Sequence, residues 1–132
     1  MMDHDRLDVY QAAREFSVFT RLLTSGGATL RSDLGDQLRR ASASIALNVA
    51  EGAGEFSRKE KARFYRIARR SATECAAVLD LLVDWAILSD DDVRDGRELL
   101  QRIVAMLVRI ARMLESQARP QVKPGRAHVG QR

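Results

Sequence analysis

Apolar side chains return every three or four positions in four separate stretches of this chain, and nowhere do they alternate over the length of a strand. That period belongs to helices buried along one side. The first stretch predicts a helix over 5–24, with Val9, Ala12, Ala13, Phe16, Phe19 and Leu23 as its core arc. Leu7, Val18 and Leu22 fall on another side of the same helix, and Ser25-Gly26-Gly27 ends it. The second helix is predicted over 32–51, with Gly52-Ala53-Gly54 as its stop. It has one stripe of Leu34, Leu38, Ala41, Ile45 and Val49, and a second on the far side of Ala43, Ala46, Leu47 and Ala50. Small apolar residues all round a helix imply burial on more than one side, and in a chain this short the second partner can be another subunit.

The third helix opens on Ser57-Arg58-Lys59-Glu60, a capping box in which the Ser and Glu each satisfy the other's free N–H. It is predicted to run to about residue 88. Its apolar set is Phe64, Ile67, Ala68, Cys75, Val78, Leu79, Leu82 and Ala86, with Tyr65 and Val83 at the margin. These fill an arc of about 160°, the width of a core-facing helix. The fourth helix begins at Ser89-Asp90-Asp91-Asp92, an N-cap followed by three carboxylates that suit the positive helix end. Leu100, Ile103, Leu107, Ile110 and Leu114 recur along it, Leu99, Met106 and Met113 widen the face, and it should end near residue 117. Four amphipathic helices with short connections predict an all-α, antiparallel up-down four-helix bundle forming one domain over 1–118. Pro120 and Pro124 mark a tail over 119–132 that is expected to be disordered.

Charge alters this picture in one respect. The net charge is +4, but 119–132 holds Arg119, Lys123, Arg126 and Arg132 and no acid; without them 18 basic residues face 18 acidic ones. The excess lies in the tail and the body is neutral. Met1 to Arg6 form a charged start without an apolar signal region, and no apolar run approaches the roughly 20 residues of a membrane span. The single cysteine, Cys75, has no internal disulfide partner and reads as a small core residue. A cytoplasmic protein with no membrane association is expected.

Few residues suggest reaction chemistry. His4 and His128 lie in the two termini without a ligand partner, and no Glu-x-x-His occurs, so neither metal nor cofactor is expected. Gly52-Ala53-Gly54 lacks the Lys-Ser/Thr and the preceding strand of a phosphate loop, and Cys75 has no His in the body to activate it. The chain is therefore not expected to be an enzyme. Asn48 and Glu51, one turn apart, are read as structural: Asn48 bonding across helices, Glu51 pairing with an Arg.

The third helix concentrates the functional signal. With Arg58 at 0°, Arg69 falls at about 20°, Arg66 at about 80°, Lys59 at about 100°, Arg70 at about 120° and Arg63 at about 140°. Six cations thus share the face opposite the apolar arc, with few carboxylates before Glu74, although Asp80 and Asp84 follow on the same side. Arg39, Arg40 and the tail can extend the face. Such a surface can neutralise phosphates and release counterions from RNA or DNA. It can equally be a solvated face paired with the acidic starts of neighbouring helices. No aromatic residue interleaves the cations, so contacts to the phosphate backbone with weak sequence selectivity are expected.

Three segments give a resemblance: Gln37-Leu38-Arg39-Arg40-Ala41, Ser44-Ile45-Ala46-Leu47-Asn48-Val49-Ala50-Glu51-Gly52, and Phe64-Tyr65-Arg66-Ile67-Ala68-Arg69-Arg70-Ser71-Ala72-Thr73-Glu74. They resemble the family of four-helix-bundle proteins encoded in intervening sequences of bacterial 23S rRNA genes, whose pattern is roughly Q-x-R-R-A, S-I-P-x-N-I-A-E-G and A-R-G-S-x-x-E. The resemblance spans about residues 7–115. Ala46 stands where the family has Pro, which should make the second helix more regular. Arg70 stands where it has Gly, a cation at a place of expected close helix approach. The resemblance implies a left-handed bundle assembling as a ring-like homopentamer. The family is also similar to the accessory variability proteins of diversity-generating retroelements, which bind nucleic acid and a reverse transcriptase through a basic surface. On this reading Asn48, Glu51 and Glu74 hold the bundle, and the cationic face meets nucleic acid.

Overall fold

The structure is a computed structural model that describes residues 3–118; the predicted tail lies outside the described residues. The four expected helices are present, with one short addition. They are α1 (Asp3–Leu23), α2 (Gly27–Arg31), α3 (Asp33–Gly54), α4 (Arg58–Asp84) and α5 (Asp90–Ala118). α1 packs on α3 and α5, and α4 on α3 and α5, so the four long helices form a square of antiparallel neighbours. The five-residue α2 fills the connection between the first two predicted helices, and its C-cap Ser32 doubles as the N-cap of α3, accepting from Gly35 N at 2.9 Å.

The core follows the predicted stripes. Val9, Ala12, Ala13 and Phe16 of α1 meet Leu38, Ile45 and Val49 of α3, Ala68, Cys75, Leu79 and Leu82 of α4, and Val93, Ile103, Leu107 and Ile110 of α5. Depth departs from the wheel in α4. Tyr65, placed at the margin, is fully buried, while Phe64 and Ile67, placed in the arc, are only half-buried. Gly52 is the reason: a Cβ there would sit 3.0 Å from the Tyr65 ring, so the bare glycine backbone is what the ring rests on. Gly52 is therefore a packing residue inside α3, which runs on to Gly54, and the predicted stop after Glu51 is corrected. Ala46, in place of the family's Pro, sits within that uninterrupted helix.

α4 ends four residues earlier than its pattern suggested. Ala86, predicted as core, is exposed and takes φ 58°, a left-handed conformation, while Ala86 N bonds Val83 O at 2.9 Å and Ile87 N bonds Leu82 O at 3.0 Å. That is the geometry of a helix terminus usually closed by glycine, and an L-residue with a Cβ is strained in it. Ala86→Gly is expected to stabilise the fold by about 0.5–1 kcal/mol, read as a rise of a few degrees in Tm. The cap of α5 is reciprocal: Asp92 N bonds Ser89 Oγ at 3.2 Å, and Ser89 N bonds the Asp92 carboxylate at 2.9 Å.

Candidate nucleic-acid interface

The basic face begins with the local chemistry of α4. Ser57 accepts from Glu60 N at 3.2 Å and starts the helix, but only half of the expected capping box forms. The Glu60 carboxylate turns instead to Arg63 Nε at 3.1 Å, and the Arg63 guanidinium lies over the Phe64 ring, 4.5 Å from its centroid. Both members of that ion pair are well exposed, so it contributes little to stability. Arg58, Lys59, Arg66, Arg69 and Arg70 are exposed, and among the described residues none of their side chains makes a hydrogen bond or ion pair. Arg70 points outward, so the cation in place of the family's Gly does not obstruct the helix contact. The close approach is made by its neighbour Ser71, whose hydroxyl lies 2.8 Å from that of Ser44.

Topology adds what a single helix cannot show. α4 and α5 leave a groove of about 550 Å³ between them. Arg58, Lys59, Arg66 and Arg69 stand on one wall and Arg112 on the other, over a floor that includes Ala62, Val108 and Ala111; Glu115 is the acid among its lining residues. A second groove of about 500 Å³ continues towards the far end, lined by Ala72, Ala76 and Val104, where Arg97 binds Asp80 at 2.9 Å and Asp90 at 3.1 Å. Those two carboxylates hold the Arg97 pKa above its usual value, Asp90 foremost. Cations thus gather where α4 begins and α5 ends. Acids predominate at the other end, where Asp33, Asp36, Asp84, Asp90, Asp91 and Asp92 cluster at helix termini.

Two expected members of the basic face separate. Arg39 is half-buried; it pairs with Asp36 and donates to Thr24 O at 3.4 Å, closing the end of α1. It is a fold residue at the acidic end and does not extend the face, a correction to its expected role. Arg40 is exposed nearby. The expected polar network is also smaller than its motif. Asn48 bonds Ser44 O at 2.8 Å and Ser44 Oγ at 3.1 Å, and Ser44 reaches Ser71 across to α4. Glu51 and Glu74 are exposed and make no hydrogen bond or ion pair among the described residues, so they do not hold the bundle within one subunit.

Lys61 was not singled out by the sequence. It donates to Gly52 O at 3.2 Å and Ala53 O at 3.3 Å, closing the carboxyl end of α3, and its pKa is lowered by burial and then by Arg6, against a smaller opposite effect of Glu55. The Tyr65 hydroxyl is pushed up by burial, with Arg6 beside it opposing part of the shift. Arg112 escaped notice because only the packing of α5 on α4 brings it to the groove.

The buried Cys75 thiol is pushed up to about 12, chiefly by burial and secondly by the Glu74 carboxylate. It stays protonated at neutral pH and is no nucleophile. An aromatic disulfide reagent at pH 8 is expected to leave Cys75 unlabelled in the folded protein and to label it on denaturation. An unfolded thiol ionises near 9, so above that pH the unfolded chain releases a proton that the folded one retains. Stability should therefore fall as pH rises from 9, by up to about 1.4 kcal/mol per pH unit from this group.

On the opposite side of the square, Leu7, Val18 and Leu22 of α1 are exposed, as is Leu47 of α3 at 65%. Val18 shares a shallow cleft with Ala46, and Leu7 another with Ala50. The two apolar stripes left over by the core arcs therefore lie side by side. Among the described residues, no group of three His, Cys, Asp or Glu side chains is placed to hold a metal ion, and no helix is long and apolar enough to cross a membrane.

Comparison with known proteins bears on the fold and the family. A family model described as 23S rRNA-intervening sequence protein matches residues 5–109. A crystal structure of a protein of unknown function from the S23 ribosomal protein family of Bacteroides thetaiotaomicron superposes with a TM-score of 0.75. That protein is 21% identical, and the match covers 82% of this chain and 98% of that one, a likeness of fold. None of the curated proteins matches the sequence.

Proposed function

We propose, starting from the fact that this chain belongs to the 23S rRNA-intervening sequence protein family, that it is a non-enzymatic, self-assembling protein that binds RNA or DNA by phosphate contacts. One observation carries the reading: Arg58, Lys59, Arg66, Arg69 and Arg70 are exposed on one face and their side chains are unpaired among the described residues, with Arg112 facing them across the groove. Had the face been an ordinary solvated one, the nearby helix starts would have supplied its carboxylates. Instead the acids of the α3 and α5 starts lie at the other end of the bundle, and among the described residues Arg63 is the one cation of this face with a carboxylate partner, Glu60.

The α1–α3 side supports self-association. Exposed leucines beside an alanine stripe form an apolar surface suited to a second copy of the chain. A homopentamer, the assembly that the resemblance implies, would repeat the cationic face five times and multiply weak sites by avidity. The alanine-lined floor of the groove favours a second reading, in which an acidic partner protein, a reverse transcriptase among the options, seats apolar side chains there.

The test is binding of labelled RNA and DNA across a salt series, using nuclease-treated protein of known oligomeric mass. Phosphate contacts predict a log–log slope of about −0.9 per duplex contact or about −0.7 per single-strand contact. No binding at low salt would refute the nucleic-acid reading and leave the acidic partner protein as the one to pursue.

A further inference from the structure

Phe56 is 100% exposed, more than any other large hydrophobic side chain among the described residues, in the three-residue connection between α3 and α4. A scattered exposed leucine is ordinary. A whole aromatic ring in water, held in a short loop between two long helices, gives the fold nothing in return. Its place makes it informative. Arg58 and Lys59 follow it within three residues and form one mouth of the α4–α5 groove, whose opposite wall carries Arg112. Lys61 is tied to the end of α3 on the same side of the molecule. Of the neighbouring acids, Glu60 is held by Arg63, while Glu55 and Glu115 remain.

We infer that Phe56 is a stacking platform for an unpaired base, and that the nucleic acid bound by this face is single-stranded. This deepens the proposed function and rests on it. From Arg58 to Arg69 the helix rises about 16 Å, room for about four or five nucleotides at stacked spacing. A single backbone can follow a furrow between helices whose axes lie about 8–10 Å apart, whereas a duplex is too wide to enter it. A duplex also keeps its bases stacked inside, out of reach of a ring on a loop tip. A single strand presents every base face, and stacking on an aromatic ring tolerates any sequence. Cations alone would favour the denser charge of a duplex; a bare ring at the end of the cationic track shifts the balance to unpaired strands.

The experiment compares the full-length protein with Phe56→Ala and Phe56→Trp. The probes are a labelled 10-nucleotide single strand, the same strand with abasic sites, and a blunt hairpin duplex, with oligomeric mass followed by light scattering. Phe56→Ala is expected to weaken single-strand binding about 5- to 100-fold, with the salt slope unchanged because no charge is removed. Duplex affinity should stay within about twofold, Phe56→Trp should retain single-strand binding, and the abasic strand should bind both wild type and Phe56→Ala equally weakly. Equal losses on single strand and duplex, or no loss on either, would overturn the inference. So would a changed oligomeric mass in Phe56→Ala, which would assign the ring to a contact between copies. Failure of the wild-type protein to bind any probe at low salt would instead remove the nucleic-acid reading itself.

Discussion

Reversing Arg66 and Arg69 together to Glu is expected to weaken nucleic-acid binding about 100-fold or more and to flatten its salt dependence by about two contacts. Both side chains line the groove and neither has a partner among the described residues. The substitution therefore removes two phosphate contacts and adds repulsion, while breaking nothing that holds the helices. Both positions are exposed, so stability should change by no more than about 0.5 kcal/mol for each. The matching control reverses Arg21 and Arg94, exposed positions at the acidic end, which alters net charge identically. Equal loss in both variants would mean that the protein responds to total charge, and the assignment of a face would fail.

Tyr65→Ala is expected to cost about 3–5 kcal/mol and to lower Tm by roughly 10–20 °C. Tyr65 heads the fully buried side chains by size and rests on the bare backbone of Gly52, so truncation empties the space between α3 and α4. Helix rigidity limits how far the surroundings can collapse into it. Tyr65→Phe should cost less than about 1 kcal/mol, because the buried hydroxyl makes no well-formed hydrogen bond among the described residues, with Arg6 beside it. Chemical denaturation of the two variants separates ring from hydroxyl. A large loss in Tyr65→Phe would show that the polar contact, and not the volume, anchors the helix pair.

The four long helices, their order and most of the core were legible because 3.6-residue periodicity encodes which side of each helix is dry. Val9, Phe16, Leu38, Leu79 and Ile103 needed nothing more. Depth was less legible: a helical wheel gives an angle, and it cannot say that a glycine two residues from the end of α3 would let Tyr65 sink past Phe64. The end of α4 was hidden because its left-handed residue is an alanine, without the glycine that usually marks such a site. The cations on α4 could be read from one helix. The fate of Arg39 could not, since its partner Thr24 follows the end of α1, which only the connection through α2 brings near. Phe56 and Arg112 escaped for complementary reasons: one lies in a loop outside any periodic pattern, and the other meets the cationic face only through the antiparallel return of α5.

The separation of charge between the two ends of the bundle has a kinetic consequence. A body with little net charge experiences little net pull in a uniform field, but it experiences a torque. Approaching a polyanion, this molecule would turn its Arg58 and Arg112 end forward before any atom touches, and productive collisions would outnumber those expected from random orientation. That bias acts over about a Debye length, so it fades as salt shortens that distance towards 8 Å at physiological strength. The acidic end, with Asp90, Asp91 and Asp92 at its rim, would be turned away from the strand, which gives each encounter a front and a back.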